Sequence, residues 1–180
     1  MNNTKTIFKS LLIMIVAISL FTVSCSKDEG GTKTPTNPQP ITIIGASITT
    51  AFTGLGTITI GKMDFDFNTK FEAGATPTMT GTTSTTADSG EIKMPTAEVL
   101  QNKIKSGLKV SGATVDAKVS VNIPDATANT AITITITITP TTGNSFDETK
   151  LSPYTKETDG TVKVTLTLKP QDNKNWNGTA

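Results

Sequence analysis

Few side chains in this 180-residue sequence have the type and spacing to do chemistry. Cys25 is the only cysteine, so its thiol has no disulfide partner and is free to accept a modification. Asp64, Asp66 and Asn68 occupy alternate positions, which would put three oxygen ligands on one face of a strand, the donor set calcium prefers. The EF-hand spacing fails: Thr69 stands where the loop needs its glycine, and Glu72 comes too early for the final ligand. A solvated strand face is therefore the plainer reading, and no cofactor or metal is expected. Asp147 and Glu148 are adjacent carboxylates with Lys150 close behind; glycosidase chemistry would depend on a separation in space that sequence does not give. Trp176 and Tyr154, with Phe146, could form a stacking patch for a protein or glycan partner. Alternatively Trp176 plugs the end of a sheet.

The missing residue types exclude more than the present ones suggest. There is no histidine, so Ser-His-Asp and Cys-His nucleophile systems are out, as are the common zinc sites. No arginine occurs either, and no basic patch of the kind that grips phosphates can be read from the sequence; nucleic acid is not an expected partner. Gly54 and Gly56 lack the lysine that a phosphate loop requires. Enzymatic activity is not expected.

Cys25 gains meaning from what precedes it. Lys5 and Lys9 supply a positive start, with no acidic residue before Asp28. An apolar run from Leu11 to Val23 follows, broken only by Ser19 and Thr22. That is shorter than the roughly 20 residues of a membrane span and matches the h-region of a secretory signal, about 7–15 residues. The segment Thr22-Val23-Ser24-Cys25 resembles the lipobox of bacterial lipoproteins, in the relaxed form found in Bacteroidota and spirochaetes, with Thr22 where leucine is usual. The resemblance implies removal of residues 1–24, lipidation of Cys25 and a membrane held through the N-terminal lipid. Two acyl chains give stable anchoring, at about 0.8 kcal/mol per buried methylene. Ser26-Lys27-Asp28-Glu29 resembles the Bacteroidota lipoprotein export signal, which implies an outer-membrane lipoprotein at the cell surface; the alternative is the periplasmic face. Without residues 1–24 the chain carries 14 lysines against 15 acidic residues, a net charge of −1.

The elements that would position these groups follow from periodicity. Residues 25–40 read as the lipidated cysteine and a Pro/Gly/Thr-rich tether, extended and at most about 50 Å long. Residues 41–94 read as β-rich: Ile41, Ile43 and Ile48 suggest a first strand, Thr57–Ile60 a second, and Met63, Phe65 and Phe67 alternate with polar residues as a third. Residues 74–90 have hardly an apolar side chain and read as a long loop or poorly packed edge hairpin. From 95 to 180 the pattern predicts a helix near 96–107, capped by Thr96 and apolar at Val99, Leu100, Ile104 and Leu108. Three strands then alternate without a break, at 115–123, 132–138 and 162–168. The fold class is α+β, β-rich, with antiparallel sheet(s) and one helix, as one unit or two meeting near residue 94. Threonine, 37 of 180 residues, keeps branched β propensity on a wet face. Ice or mineral binding would need threonine rows in register across neighbouring strands, and only the 133–139 run shows the full pattern.

The stretch from the strand at 162–168 through Pro170 to Trp176-Asn177-Gly178-Thr179 resembles small repeat domains of bacterial surface lipoproteins and Ig-like cell-surface repeats. The resemblance covers residues 161–179 and implies a further strand after the Trp-x-Gly-Thr turn, one this chain is expected to lack. The functional expectation is a non-enzymatic, membrane-anchored display, adhesion or antigen module with an unidentified protein or glycan partner. The alternative is a periplasm-facing binding lipoprotein of a cell-envelope complex.

Overall fold

The fold is built on two strands whose alternation is strict. In β7 (Ile132–Pro140) all four isoleucines are buried, and in β9 (Val162–Lys169) so are Val162, Val164, Leu166 and Leu168. The computed structural model describes residues 39–85, 92–120 and 122–180. The expected signal segment, Cys25 and the expected tether up to residue 38 lie outside the described residues. β7 and β9 run antiparallel with apolar residues facing apolar ones, Ile134 against Leu166 and Ile136 against Val164. On the other side β7 pairs antiparallel with β6 (Ala113–Val119), placing Ala117 against Ile136 and Val119 against Ile134.

The fourth strand of this sheet comes from a segment that hydrophobicity alone reads as a loop. β4 (Thr78–Thr80) runs parallel to β9 and gives the order β4-β9-β7-β6. Its one large apolar side chain, Met79, is buried opposite Leu168. The preceding chain extends the pairing, since the amides of Thr165 and Thr167 donate to the carbonyls of Ala75 and Pro77. Backbone hydrogen bonding, which any residue supplies, thus orders a stretch with little to bury.

A second, antiparallel sheet joins β2 (Thr57–Ile60), β3 (Met63–Asp66) and β5 (Thr82–Thr83), in the order β2-β3-β5. Ile58, Ile60, Met63 and Phe65 are its buried face. Gly61 turns the β2–β3 hairpin at φ 59°, and a Cβ there would lie 2.4 Å from the Trp176 carbonyl oxygen. β1 (Thr42–Ile43) and β8 (Ser145–Phe146) form a short parallel pair. Residues 41–94 and 95–180 therefore share one sheet, and their apolar side chains form one core; residues 39–180 make a single compact unit.

The expected helix is present as α3 (Ala97–Gly107), following α1 (Gly45–Thr53) and the four-residue α2 (Phe67–Lys70). The Thr96 hydroxyl accepts from the Val99 amide, and Leu100, Ile104 and Leu108 line the buried side. Val99 departs from the expected stripe: it is 56% exposed, because one position before Leu100 turns it away from the sheet. The expectation of one helix is corrected by α1. Ile48 belongs to this helix rather than to a first strand, and with Ala51 and Phe52 it buries an i, i+3, i+4 face. Ser47 secures the start, its hydroxyl donating to the Ile44 carbonyl and accepting from the Ile44 amide. Gly45 is required by close approach, since a Cβ would meet the Leu151 carbonyl oxygen at 2.3 Å.

The two faces of β7 should respond differently to substitution. Ile134→Thr or Ile136→Thr removes packing and buries a hydroxyl, so a loss of about 2–5 kcal/mol is expected by analogy with large-to-small core changes. Thr135→Val should change stability by less than about 1 kcal/mol and should raise aggregation. Urea unfolding of the two kinds of variant checks this; equal losses would mean that both faces of the strand are buried.

Candidate functional site

The outward face of the four-stranded sheet gathers hydroxyl groups into registered rows. Because β positions alternate, every residue between the buried ones projects to this side. Ser120, Thr133, Thr167 and Thr78 form one row across all four strands, and Lys118, Thr135 and Thr165 form the next. Asp116, Thr137 and Lys163 form a third, Thr114 and Thr139 a fourth, and Thr80 and Lys169 lie at the opposite end. Neighbouring backbone positions in these rows are about 4.8 Å apart across strands and about 6.7 Å along them. Only two side-chain hydrogen bonds lie within these rows: Ser120 Oγ with Thr135 Oγ1 at 3.2 Å, and Thr114 Oγ1 donating to the Thr139 carbonyl at 3.4 Å. Threonine rows do extend across neighbouring strands, so more of the register that a lattice-binding surface needs is present than one strand suggested. Lys118, Asp116 and Lys163 interrupt it, and the face is not a uniform lattice.

Three of the described carboxylates, Asp66, Asp147 and Asp159, hold backbone geometry. Asp159 holds a turn in which the Thr161 amide (3.0 Å) and hydroxyl (2.6 Å) both donate to Oδ1, while Lys163 Nζ lies 2.8 Å from Oδ2. Asp147 does the same for Thr149, and Asn177 for Thr179. The recurring Asp/Asn-x-Thr unit is an Asx turn doubled by the threonine hydroxyl. The hydrogen bond from Lys163, then those from Thr161, hold the Asp159 carboxyl well below the usual carboxylate range. The Thr149 hydroxyl lowers the pKa of Asp147, and the hydrogen bond from the Lys105 ammonium lowers that of Asp116. All three stay ionised near neutral pH, which leaves no proton for general acid catalysis.

The candidate calcium ligands are separated by a change of element. Asp64 and Asp66 sit on β3, but Asn68 is in α2 and not on the strand. The chain turns there because Asp66 caps the helix, accepting from the amides of Asn68 (3.0 Å) and Thr69 (3.2 Å). The Thr69 hydroxyl donates to the same carboxylate and lowers its pKa. Asp64 accepts from the Thr59 hydroxyl at 2.7 Å. Among the described residues no three His, Cys, Asp or Glu side chains come together as metal ligands.

Trp176 and Tyr154 are core residues: the burial fits the reading of Trp176 as a plug and corrects the reading of the two as an exposed contact patch. Trp176 is fully buried, its indole N–H donates to the Thr130 carbonyl at 2.9 Å, and its ring packs 5.9 Å from Phe65. It closes the end of the core, and its own carbonyl accepts from the Lys62 amide at the β2–β3 turn. Tyr154 is 4% exposed with its hydroxyl 3.0 Å from Thr49 Oγ1, and burial pushes the phenol above its ordinary pKa. Phe146 is buried as well. Asp147 and Glu148 do not form a pair poised on a substrate: Asp147 faces Thr149 and Lys150, and Glu148 binds Lys156 at the rim of a shallow depression beside Tyr154.

Sequence reasoning missed the threonine rows because alternation gives each strand's faces but not the register between strands. A usable signal was the polar alternate positions of 78–80 and 163–169, read together with those of β7. No protein-family model, curated protein or solved structure matches the chain.

Asp159 gives a pH test. Its folded-state pKa is depressed, so the stability it contributes is present above the unfolded carboxylate value near 3.9 and is lost as pH falls below it. Asp159→Ala should lower the Tm by at most a few degrees at pH 7, since the group is exposed, and the gap should narrow steadily as pH falls below about 4 while persisting in part at pH 2, because the folded-state value lies lower still. Thermal melts across that range check it; a gap independent of pH would assign the effect to the turn backbone alone.

Proposed function

We propose that the chain is a membrane-tethered, non-enzymatic display module that presents the folded unit 39–180 for contact at the cell surface. The observation that carries this reading is the outward face of the four-stranded sheet, where rows of threonine hydroxyls and lysines are held rigid by the buried isoleucines beneath them. A flat polar face of this kind suits weak contacts repeated over many copies, where avidity replaces single-site affinity. Non-enzymatic display is supported by the use of the carboxylates: Asp66, Asp147 and Asp159 bind turn threonines, and Asp116 pairs with Lys105. The sequence supplies the anchor in this proposal, with lipidation of Cys25 after a lysine-flanked apolar segment.

Two measurements test it. A fatty-acid probe should label the wild-type protein in cells and not the Cys25→Ala variant. Protease added to intact cells should remove the folded unit. Label that persists in the variant would overturn the anchor, and protection from protease would favour the periplasm-facing alternative.

A further inference from the structure

The four-stranded sheet has one long lateral edge, the outer side of β6, and this edge is matched to itself. In the register with β7, Ser120 donates its amide to Thr133 and belongs to the inward-pointing set, so the backbone groups of Val115, Ala117 and Val119 point away from the sheet. Strand edges of this kind are templates for a further strand. The opposite side of the sheet differs: β9 is paired by residues 75–80 and by the bridge at Lys156, and β4 is only three residues long.

We propose that β6 is a homotypic interaction surface, on which two copies of this chain pair β6 to β6 antiparallel about Ala117. This inference does not depend on how the chain is anchored. In that register Ala117 faces Ala117 of the second copy, and the outward amides and carbonyls of Val115 and Val119 exchange hydrogen bonds. Asp116 then lies opposite Lys118 of the second copy, and Lys118 opposite its Asp116. Both residues are exposed and project to the threonine face. They fall on a non-hydrogen-bonded pair position, the closer of the two kinds, where opposite charges stabilise and like charges destabilise. Two ion pairs therefore form by symmetry, as an isologous contact requires. Lys118 makes no ion pair of its own among the described residues. Val115 and Val119 meet across the join on the core face, and the two threonine faces become one continuous surface.

The single chain guards this edge with two side chains of α3. Gln101 Oε1 accepts from the Val119 amide at 2.9 Å, in the place that the second copy's Val115 carbonyl would take. Lys105, one turn later, holds Asp116 at 2.9 Å. Pairing requires these two contacts to be exchanged for their counterparts between copies, while Leu100 and Ile104 stay in the core. The guard sets the affinity.

Sedimentation velocity on residues 39–180, the compact unit with its own core, tests the proposal. Gln101→Ala with Lys105→Ala should associate at least tenfold more tightly than wild type. In that background Lys118→Asp puts aspartates opposite each other and should weaken association at least tenfold. Adding Asp116→Lys restores opposite charges and should restore association. Carbodiimide treatment of mixed light and isotope-labelled wild-type chains at millimolar concentration should join Asp116 of one copy to Lys118 of another, a readout that holds even if the double variant fails to fold. Absence of that crosslink, a guard-free variant that stays monomeric, or association indifferent to the charge series would each overturn the proposal.

Discussion

Burial of the apolar ladder shared by β7 and β9 is the constraint from which the rest of the structure follows. Eight side chains, Ile132 to Ile138 and Val162 to Leu168 at alternate positions, are all removed from water. At about 1.5–3 kcal/mol for each fully buried aliphatic side chain, no other pairing of strands among the described residues supplies as much. Once these strands pair in register, a one-residue slip would turn every isoleucine outward. Everything else is placed by reference to that pair: β6 and β4 add to its two sides, and α3 packs against β6. The small sheet and Trp176 complete the same core.

The same alternation that fills the core also creates the outer face. A strand cannot offer an apolar side to the interior without offering the intervening side to solvent. Threonine is the residue that keeps a branched Cβ in the sheet while remaining polar. The cost of such a sheet is its edges, since strands rich in isoleucine, valine and threonine are prone to pair with whatever strand they meet. The fold answers this differently on the two sides. Beyond β9 it spends a short apolar-poor segment as a lateral cover, and beside β6 it spends two side chains of a helix.

What could be read from the residues divides along the same physical lines. Strict alternation fixed β7, β9 and most of β6, because a period of two has one way to bury its apolar half. The helix α3 was legible for the same reason, apart from Val99. α1 was not, because its buried apolar side chains are three, Ile48, Ala51 and Phe52, among threonines that favour strands, and its start is secured by Ser47 and by the contact of the buried Gly45 with Leu151, a residue about a hundred positions away. β4 escaped notice because its stabilisation is carried by backbone hydrogen bonds, which leave no mark in the side-chain pattern. Of the candidate site residues, Asp64 and Asp66 were placed on the correct strand. Asn68 was not, because Asp66 acts as a helix cap. Trp176 and Tyr154 can lie in the interior because each finds a polar partner there: the Trp176 indole N–H donates to the Thr130 carbonyl, and the Tyr154 hydroxyl shares a hydrogen bond with that of Thr49.

These placements bear on how a chain without histidine or arginine can still have a function. Asp116, Asp147 and Asp159 are held ionised by threonine hydroxyls, turn amides and lysines, and they fix loops and pair charges. Among the described residues its large aromatic side chains are buried, apart from the partly buried Phe71. What remains for a partner is therefore the sheet itself: hydroxyls at the regular intervals of the strand lattice, lysines among them, and backbone groups along one edge. Each such contact is weak, and its geometry is supplied by secondary structure rather than by a shaped pocket. Recognition of this kind becomes effective when copies are concentrated in two dimensions, and a lipid on Cys25 with a short tether would bring about that condition. In the proposed reading the anchor and the face would work as one device, in which the membrane would supply local concentration and the core rigidity.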